Sequence, residues 1–350
     1  MAPLAVIIAM LATGCAKKAP VDYTATPHLP APRAGTYARV ESTPPDAAVQ
    51  RAMGDHTWQA SLAGGAAGLA LRMAEASDCQ VSSWETREAL WRAGYPYPVE
   101  QVRCWSVEDG QPPPDDVAEW VEGIDSAHDL GLVRARGSDV DVWVGMSAAP
   151  RVDIGIIPRQ APIGYLLDLP AVPGSRLVAA DPDGFVVEAP LDTPQTLALD
   201  VIGEWLIELA DDDGELARFP VYVGMALPDS PLFDPGLDGV TDLDGLQDLL
   251  DDLRGAYGVT PWSRDLLLDA AARTVLRREA EPAEALERLG ANDAAAGWRC
   301  EGPTAPDCIA QIVWDPRSRR ALLADSNRMM GLAASLTEHG VSAALLVAEP

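Results

Sequence analysis

The stretch VWDPRSRRALLADSNRMMGLA, residues 313–333, joins an Arg-rich helical turn to the first of two closing strands. Apolar side chains over Met330–Leu336 and Val341–Ala348 predict this strand pair, with Glu338-His339-Gly340 as its turn. Upstream, a helix is predicted over Asp244–Tyr257, because four leucines share one face: Leu246, Leu249, Leu250 and Leu253. Helices followed by a strand pair predict an α+β module over residues 229–350.

Two further helices belong to this module. Ser263 is the predicted N-cap of the first, whose apolar positions are Leu266, Leu267, Ala270, Ala271 and Val275. The second is predicted over Pro282–Leu289 and ends at Gly290.

Residues 46–149 follow a similar plan. Leu62, Leu69, Leu71 and Met73 indicate a first helix, and a second begins at Ser82 or Ser83 and ends at Gly94. A third helix starts at Pro114-Asp115-Asp116. Strands are predicted over Gly131–Arg136 and Val140–Met146, around the turn Gly137-Ser138-Asp139.

Residues 150–228 have a different pattern, typical of an all-β, Ig-like sandwich. Turn signals such as Pro182-Asp183-Gly184 and Asp212-Asp213-Gly214 separate short alternating stretches. The predicted strands are Tyr165–Leu169, Arg176–Ala180, Phe185–Glu188, Thr196–Asp200, Glu204–Leu209 and Phe219–Gly224.

The two outer modules have the features of divergent copies. Residues 88–94, EALWRAG, match residues 284–290, EALERLG, at five of seven positions. A cysteine follows ten residues after each glycine, at Cys104 and Cys300, and each final strand pair starts with Gly-Leu. Because glycine is common at helix ends, chance similarity is the alternative.

The N-terminus has the pattern of an export signal. Residues 1–14 are apolar but too short to span a bilayer, and Ala12-Thr13-Gly14-Cys15 resembles the bacterial lipobox. That resemblance implies cleavage before Cys15 and a lipid on its thiol. Ala12 stands where Leu is usual, and no Lys or Arg precedes the apolar run, which predicts that the true start lies upstream. A buried N-terminal strand with an incidental cysteine is the alternative.

Residues 15–45 are rich in proline, so we expect a flexible tether without compact elements. Ala16 is not the Asp that is associated with inner-membrane retention. The expected location is therefore the cell envelope, as an outer-membrane lipoprotein.

Composition limits the partners. The chain has 350 residues and 48% hydrophobic residues, enough for more than one folded domain. With 53 acidic and 26 basic residues, the net charge is −27, so we expect no nucleic-acid partner. The predicted partners are the membrane, through lipid on Cys15, and an envelope protein or glycan.

Four further cysteines fit an oxidising compartment: Cys79, Cys104, Cys300 and Cys308. Four cysteines allow three disulfide connectivities, and Cys79–Cys104 with Cys300–Cys308 is preferred because each pair stays within one module. Buried free thiols are the alternative. A zinc site is not expected, since no CxxC motif occurs and no His lies nearby.

The last module resembles the CAP superfamily of cysteine-rich secretory, antigen 5 and pathogenesis-related 1 proteins, especially its bacterial extracellular branch. The similarity runs through Leu249–Arg254, Asp265–Ala272 and Val313–Leu323, then seven residues to Gly331-Leu332-Ala333. It covers roughly the last third of the chain. Together with the repeat, it implies two CAP-like α/β/α modules on either side of the Ig-like sandwich, an α+β protein.

The resemblance also implies where metal ligands would lie. Metal-binding family members use two His and two acidic residues, and the His positions correspond here to Ser318 and to Thr274 or Val275. Because neither position holds His, we expect no metal, no cofactor and no catalytic residue of that kind.

Three functions remain open. The first is a lipid-anchored, non-catalytic binding or scaffold protein. The second is an atypical hydrolase acting on an envelope substrate, which requires Glu284, Glu287 and Asp315 to converge with His128 or His339 in one cleft. The third is sterol or lipid binding, known within the CAP superfamily, which requires an apolar groove.

Overall fold

A computed structural model describes residues 35–76, 79, 81–108, 115–136, 140–228, 240, 242–291, 295–326, 328–337 and 340–349. The signal segment, Cys15 and most of the predicted tether lie outside these residues, as do the turn 137–139 and His339.

The first module contains helices packed on an antiparallel-rich sheet. After β1 (Thr36–Tyr37), its elements are β2 (Glu41–Ser42), α1 (Ala47–Met53), β3 (Trp58–Gln59), α2 (Ala60–Ala76), α3 (Ser83–Ala93), β4 (Gln101–Glu108), α4 (Asp115–Glu122), β5 (Asp129–Arg136) and β6 (Val140–Ala148). The strand order of the sheet is β2-β3-β5-β6-β4.

Local sequence sets the bounds of α3. The Ser82 side chain accepts from the Glu85 N–H, and the Glu85 side chain accepts from the Ser82 N–H, a capping box. Gly94 ends the helix in the left-handed region, at φ 79°, where a side chain would be strained. Both ends agree with the prediction.

The middle segment is all-β. The strands are β7 (Ile157–Pro158), β8 (Gln160–Ala161), β9 (Tyr165–Leu169), β10 (Arg176–Ala180), β11 (Val186–Pro190), β12 (Gln195–Leu199), β13 (Gly203–Asp211) and β14 (Gly214–Val223). A five-stranded sheet has the order β11-β10-β13-β14-β8, and β9 pairs with β12. The predicted bounds of β9 and β10 are confirmed.

The third module again combines helices with one sheet. Its elements are α5 (Leu243–Ala256), β15 (Ser263–Arg264), α6 (Leu266–Leu276), α7 (Pro282–Arg288), β16 (Ala296–Gly302), α8 (Ala305–Val313), α9 (Pro316–Leu323), β17 (Met329–Thr337) and β18 (Gly340–Ala348). The four strands have the order β15-β17-β18-β16.

Strand β18 shows how this sheet is covered. Ala344, Leu346 and Ala348 lie in a core formed with α6 and α7, while the alternate residues Ala343, Leu345 and Val347 lie in the main core with α5 and α8. Because successive side chains point to opposite faces of a strand, both faces of the sheet are buried. The nearly continuous apolar run of β18 follows from this.

The two outer sheets have the same order of equivalent strands. In the first module four neighbouring strands have the order β3-β5-β6-β4, and in the third module the order is β15-β17-β18-β16. The first pair in each is parallel, β3 with β5 and β15 with β17, and the remaining pairs are antiparallel. A long helix follows the first strand of each set and contacts the third.

Two local expectations need correction, and two strands were missed. The predicted tether ends earlier than residue 45, because β1 (Thr36–Tyr37) pairs with β7 and Tyr37 is fully buried. Ser263 is not a helix cap: it lies in β15, and Asp265 caps α6 through the N–H groups of Leu267 and Leu268. The edge strands β4 and β16 were not predicted.

Candidate functional site

The two His positions implied by the resemblance are structural in this chain. Ser318 is buried, accepts a hydrogen bond from Trp298 Nε1 at 2.8 Å and donates one to Asp315 at 2.8 Å. Val275 is in the core, and the Thr274 hydroxyl donates to the Ala271 carbonyl. Ser318 thus bonds to two neighbouring side chains, Thr274 bonds to the backbone of its own helix, and Val275 packs in the core.

The carboxylates proposed for an atypical enzyme lie on separate elements. Glu284 and Glu287 are exposed on α7, and Glu284 pairs with Arg288. Asp315 caps α9, whereas His128 lies in the first module, 3.4 Å from Glu100. Among the residues that the structure describes, no group of three His, Cys, Asp or Glu side chains could hold a metal ion.

Helix α9 joins the third module to the middle segment through arginines. Arg319 is buried and pairs with Glu204 of β13, while Arg317 binds Glu188 of β11 at 2.8 Å. The sequence indicated an Arg-rich helical turn here, and two of its arginines pair with carboxylates of the middle segment. The pairs hold α9 against the five-stranded sheet of that segment.

An aromatic cluster joins the first and third modules. Trp314 stacks on Trp84 with ring centroids 4.5 Å apart and meets the edge of Trp91 at 5.4 Å. Beside it, the Asp307 carboxylate of α8 accepts hydrogen bonds from the Ser83 N–H and hydroxyl, at 2.5 and 2.7 Å. A carboxylate at the start of α3 also meets the positive end of the helix dipole.

An open cleft of about 480 Å³ lies where the three modules meet. It is lined by α3, β4, β14 and α8, and its polar residues include Thr86, Arg87, Glu100, Arg218 and Gln311. A volume of this size is within the range of ligand sites, which often lie between domains. We name this site the junction cleft.

Paired charges line one wall of the junction cleft. Arg87 binds Glu215 at 2.5 Å, and Arg218 binds Glu215 at 3.1 Å and also Glu208. The Arg87 guanidinium lies 6.0 Å from the centre of the Trp91 ring. The Arg87–Glu215 pair crosses from the first module to β14, so the wall depends on both parts of the chain.

The junction cleft could not be predicted from the sequence. Its partners are 128 residues apart in the case of Arg87 and Glu215, and no local pattern links them. Trp314 did lie in the stretch that carries the CAP resemblance, but its contacts with Trp84 and Trp91 could not be anticipated.

The structure contains two disulfides, Cys79–Cys104 and Cys300–Cys308. The first ties the segment after α2 to β4, and the second ties β16 to α8. Each stays within one module, the connectivity preferred from the sequence. Cys15 lies outside the described residues.

A small apolar cavity lies beneath the end of the predicted tether. Its lining includes Pro44, Val49, Trp58, Ala67 and Ala70, and its volume is about 20 Å³. That is space for about one water molecule, far below the several hundred Å³ of ordinary ligand pockets. This cavity does not provide the groove that a sterol would need.

Within the described ranges, no helix is both long and apolar enough to cross a membrane.

Comparison with known proteins gives weak structural likeness. No family model matches the sequence, and no curated protein matches it. Among solved structures, a cysteine-rich secretory protein from Staphylococcus aureus shares 14% identity at a TM-score of 0.26, over 42% of this chain and 56% of its own. An extracellular protein with an SCP domain from Bacillus anthracis shares 13% identity at a TM-score of 0.25, over 77% and 93%.

A third similar structure is that of Na-ASP-1, with 10% identity and a TM-score of 0.25 over 85% of this chain and 80% of that one. The chain thus spans about half the length of the S. aureus protein and most of the other two. Two of the three carry the cysteine-rich secretory or SCP name, the class that the sequence resembles. TM-scores this low support no further conclusion.

Proposed function

We propose that the chain is a lipid-anchored protein of the bacterial cell envelope and acts there as a non-catalytic binding scaffold. The observation that carries the proposal is the junction of the three modules. A buried ion pair, Arg319 with Glu204, holds the third module against the sandwich, and the Trp84–Trp314 stack holds the first module against the third. A rigid assembly with a preformed polar cleft suits recognition.

We further propose that the outer modules are divergent CAP-like copies. The equal strand order supports this, and so does the placement of one glycine in each module. Gly131 of β5 lies against the backbone of Leu62 and Ala63 in α2, and Gly331 of β17 lies against that of Leu268 and Asp269 in α6. Both occupy the Gly-Leu pair that opens the final strand pair, so the repeated motif has the same packing role in each copy.

A binding role is favoured over catalysis by the residues at the implied metal positions. Ser318 is engaged with Trp298 and Asp315, and Val275 is core. The junction cleft has arginines paired with glutamates, and such pairs position one another rather than react.

The lipid anchor is tested at Cys15. Changing Cys15→Ser should abolish incorporation of a clickable fatty acid and move the protein from the membrane pellet to the soluble fraction, because the thiol is the acylated atom. Cys300→Ser is the matched cysteine control and should leave lipid labelling intact. Equal labelling of wild type and Cys15→Ser would contradict the anchor.

The binding role is tested at the junction cleft with the detergent-solubilised full chain, which retains the buried Tyr37. Glu100 lies at the cleft and its side chain is 51% exposed, so Glu100→Arg should reverse its charge without disturbing the core. We expect cross-linked capture from envelope extracts to lose the partner at least tenfold. Glu41→Arg, on exposed β2, is the control. Identical capture by both variants, or no capture by wild type, would count against the junction cleft as the binding site.

A further inference from the structure

A second groove lies on the first module, away from the junction. It is open to solvent and has a volume of about 450 Å³. Gln101, Arg103 and Trp105 line it from β4, an edge strand, where alternate residues share one face. Helix α4 supplies the opposite side, with Asp116, Glu119 and Trp120. We call this site the tryptophan groove.

The two tryptophans form its apolar part. Trp105 and Trp120 are half-buried, and their ring centroids lie 5.4 Å apart with the planes inclined at 60°. Large aromatic side chains are normally used in cores, and most tryptophans of this chain are buried. A partly exposed pair that packs on the core and also lines an open groove therefore points to a ligand.

The position of Trp120 is fixed from two sides. Its Nε1 donates a hydrogen bond to Gln101 Oε1 at 3.0 Å. Its ring lies over Gly145 of β6, where an added Cβ would come within 2.4 Å of Trp120 Cζ3 and 3.2 Å of Trp105 Cζ3. Gly145 thus leaves the space that both rings occupy. A preformed aromatic corner loses little entropy when a ligand binds.

The polar residues around the rings suit a hydroxylated ligand. Because Gln101 Oε1 accepts from Trp120, its amide Nε2 can donate to a ligand oxygen. The exposed carboxylates of Asp116 and Glu119 accept from hydroxyl groups, and the Arg103 guanidinium donates. Sugar rings combine an apolar C–H face with a rim of hydroxyl groups, which matches an aromatic corner edged by donors and acceptors.

The charge of the groove and of the chain indicates which class of glycan the groove can bind. The groove carries two carboxylates and one guanidinium, and the chain as a whole carries a formal −27. Such a field repels polyanions and leaves neutral chains unaffected. We propose that the tryptophan groove binds a neutral oligosaccharide, a site separate from the junction cleft. The inference rests on the proposed envelope location in one respect only: the location decides which glycans the protein would meet.

Isothermal titration calorimetry on the solubilised full chain tests this, with N-acetylglucosamine tetramer and cellotetraose as neutral probes and galacturonate tetramer as the anionic one. We expect at least one neutral probe to bind and the anionic probe to bind at least tenfold more weakly. Trp105→Ala and Trp120→Ala should each weaken the neutral complex about tenfold or more. Phe185→Ala removes an aromatic side chain that is 62% exposed on the sandwich and should leave binding unchanged.

Two surface variants keep the test valid if either tryptophan variant unfolds. Gln101→Ala and Glu119→Gln alter exposed side chains and should each weaken binding about threefold or more with an unchanged unfolding transition. Affinity weaker than about 10 mM for both neutral probes would overturn the inference. So would unchanged affinity in the groove variants, or tighter binding of the anionic probe. Fatty-acid labelling at Cys15 and partner capture at Glu100 report on the proposed function independently of these outcomes.

Discussion

Replacing Arg319 with Met should lower the free energy of unfolding by about 3–5 kcal/mol, because it leaves the Glu204 carboxylate buried without its cation. The two side chains are only 4% and 9% exposed. Arg319 Nη1 also donates to the Glu204 backbone carbonyl at 3.2 Å, and Tyr257 donates to Glu204 Oε1 at 3.1 Å. Burial raises the pKa of Tyr257, so its hydroxyl stays a neutral donor over the whole physiological range.

Urea denaturation followed by circular dichroism measures this effect. Arg320→Met is the matched control, since Arg320 is the next residue but exposed, and it should change stability by no more than about 0.5 kcal/mol. The double variant Arg319→Met/Glu204→Gln removes both charges and should be about 1–3 kcal/mol more stable than Arg319→Met alone. Equal effects of Arg319→Met and Arg320→Met would show that the pair does not hold the modules together.

Much of the local structure could be predicted because its causes are local. The ends of α3 at Ser82 and Gly94 could be predicted, because an N-cap and a left-handed C-terminal residue each depend on only a few neighbouring residues. Strand β9 follows from alternation alone, with Leu167 and Leu169 buried and Leu166 exposed. The disulfide partners followed from module bounds rather than from geometry.

What could not be predicted depends on contacts distant in sequence. Ser263 resembles a helix cap, yet pairing with β17, more than sixty residues later, makes it part of a strand. Tyr37 lies in a Pro-rich stretch, but its ring packs on Phe219 and its hydroxyl donates to the Pro220 carbonyl. The edge strand β4 has no fully buried side chain: Val102, Cys104 and Val107 are only partly buried against the core, while residues 101, 103 and 105 line a groove. Its apolar pattern was therefore too weak to predict a strand.

The candidate sites also divide into features that local sequence predicts and features that depend on contacts distant in sequence. The loss of His at Ser318 and Val275 was evident from sequence, since it concerns residue type at a known spacing. The junction cleft requires three modules to meet, and the tryptophan groove requires Gly145 to lie beneath two rings from other elements. Neither arrangement produces a recognisable pattern within any one stretch of sequence.

Gly331→Ala should be among the most damaging single substitutions in the chain. An added Cβ would lie 2.0 Å from the Leu268 carbonyl carbon, 2.2 Å from its oxygen and 2.5 Å from the Asp269 nitrogen. These are backbone atoms, so α6 would have to move away from the sheet. That shift would strain the hydrogen bond from the Leu332 N–H to Asp269 Oδ1, which is 2.9 Å long. We expect a loss of about 3 kcal/mol or more, at or above the upper end for overpacking.

The equivalent glycine of the first module provides a graded comparison. In Gly131→Ala the Cβ would lie 2.6 Å from the Ala63 nitrogen, a milder clash, so the loss of stability should be smaller than for Gly331→Ala. Gly255→Ala, at an exposed position of α5 with no atom within 4 Å of the new Cβ, should instead stabilise by about 0.5–1 kcal/mol. The urea concentrations at the unfolding midpoints of the three variants give the order of their stabilities. If Gly331→Ala unfolds at the same urea concentration as the wild type, α6 does not approach β17 as closely as described. The shared packing that supports two copies of one module would then be lost as an argument.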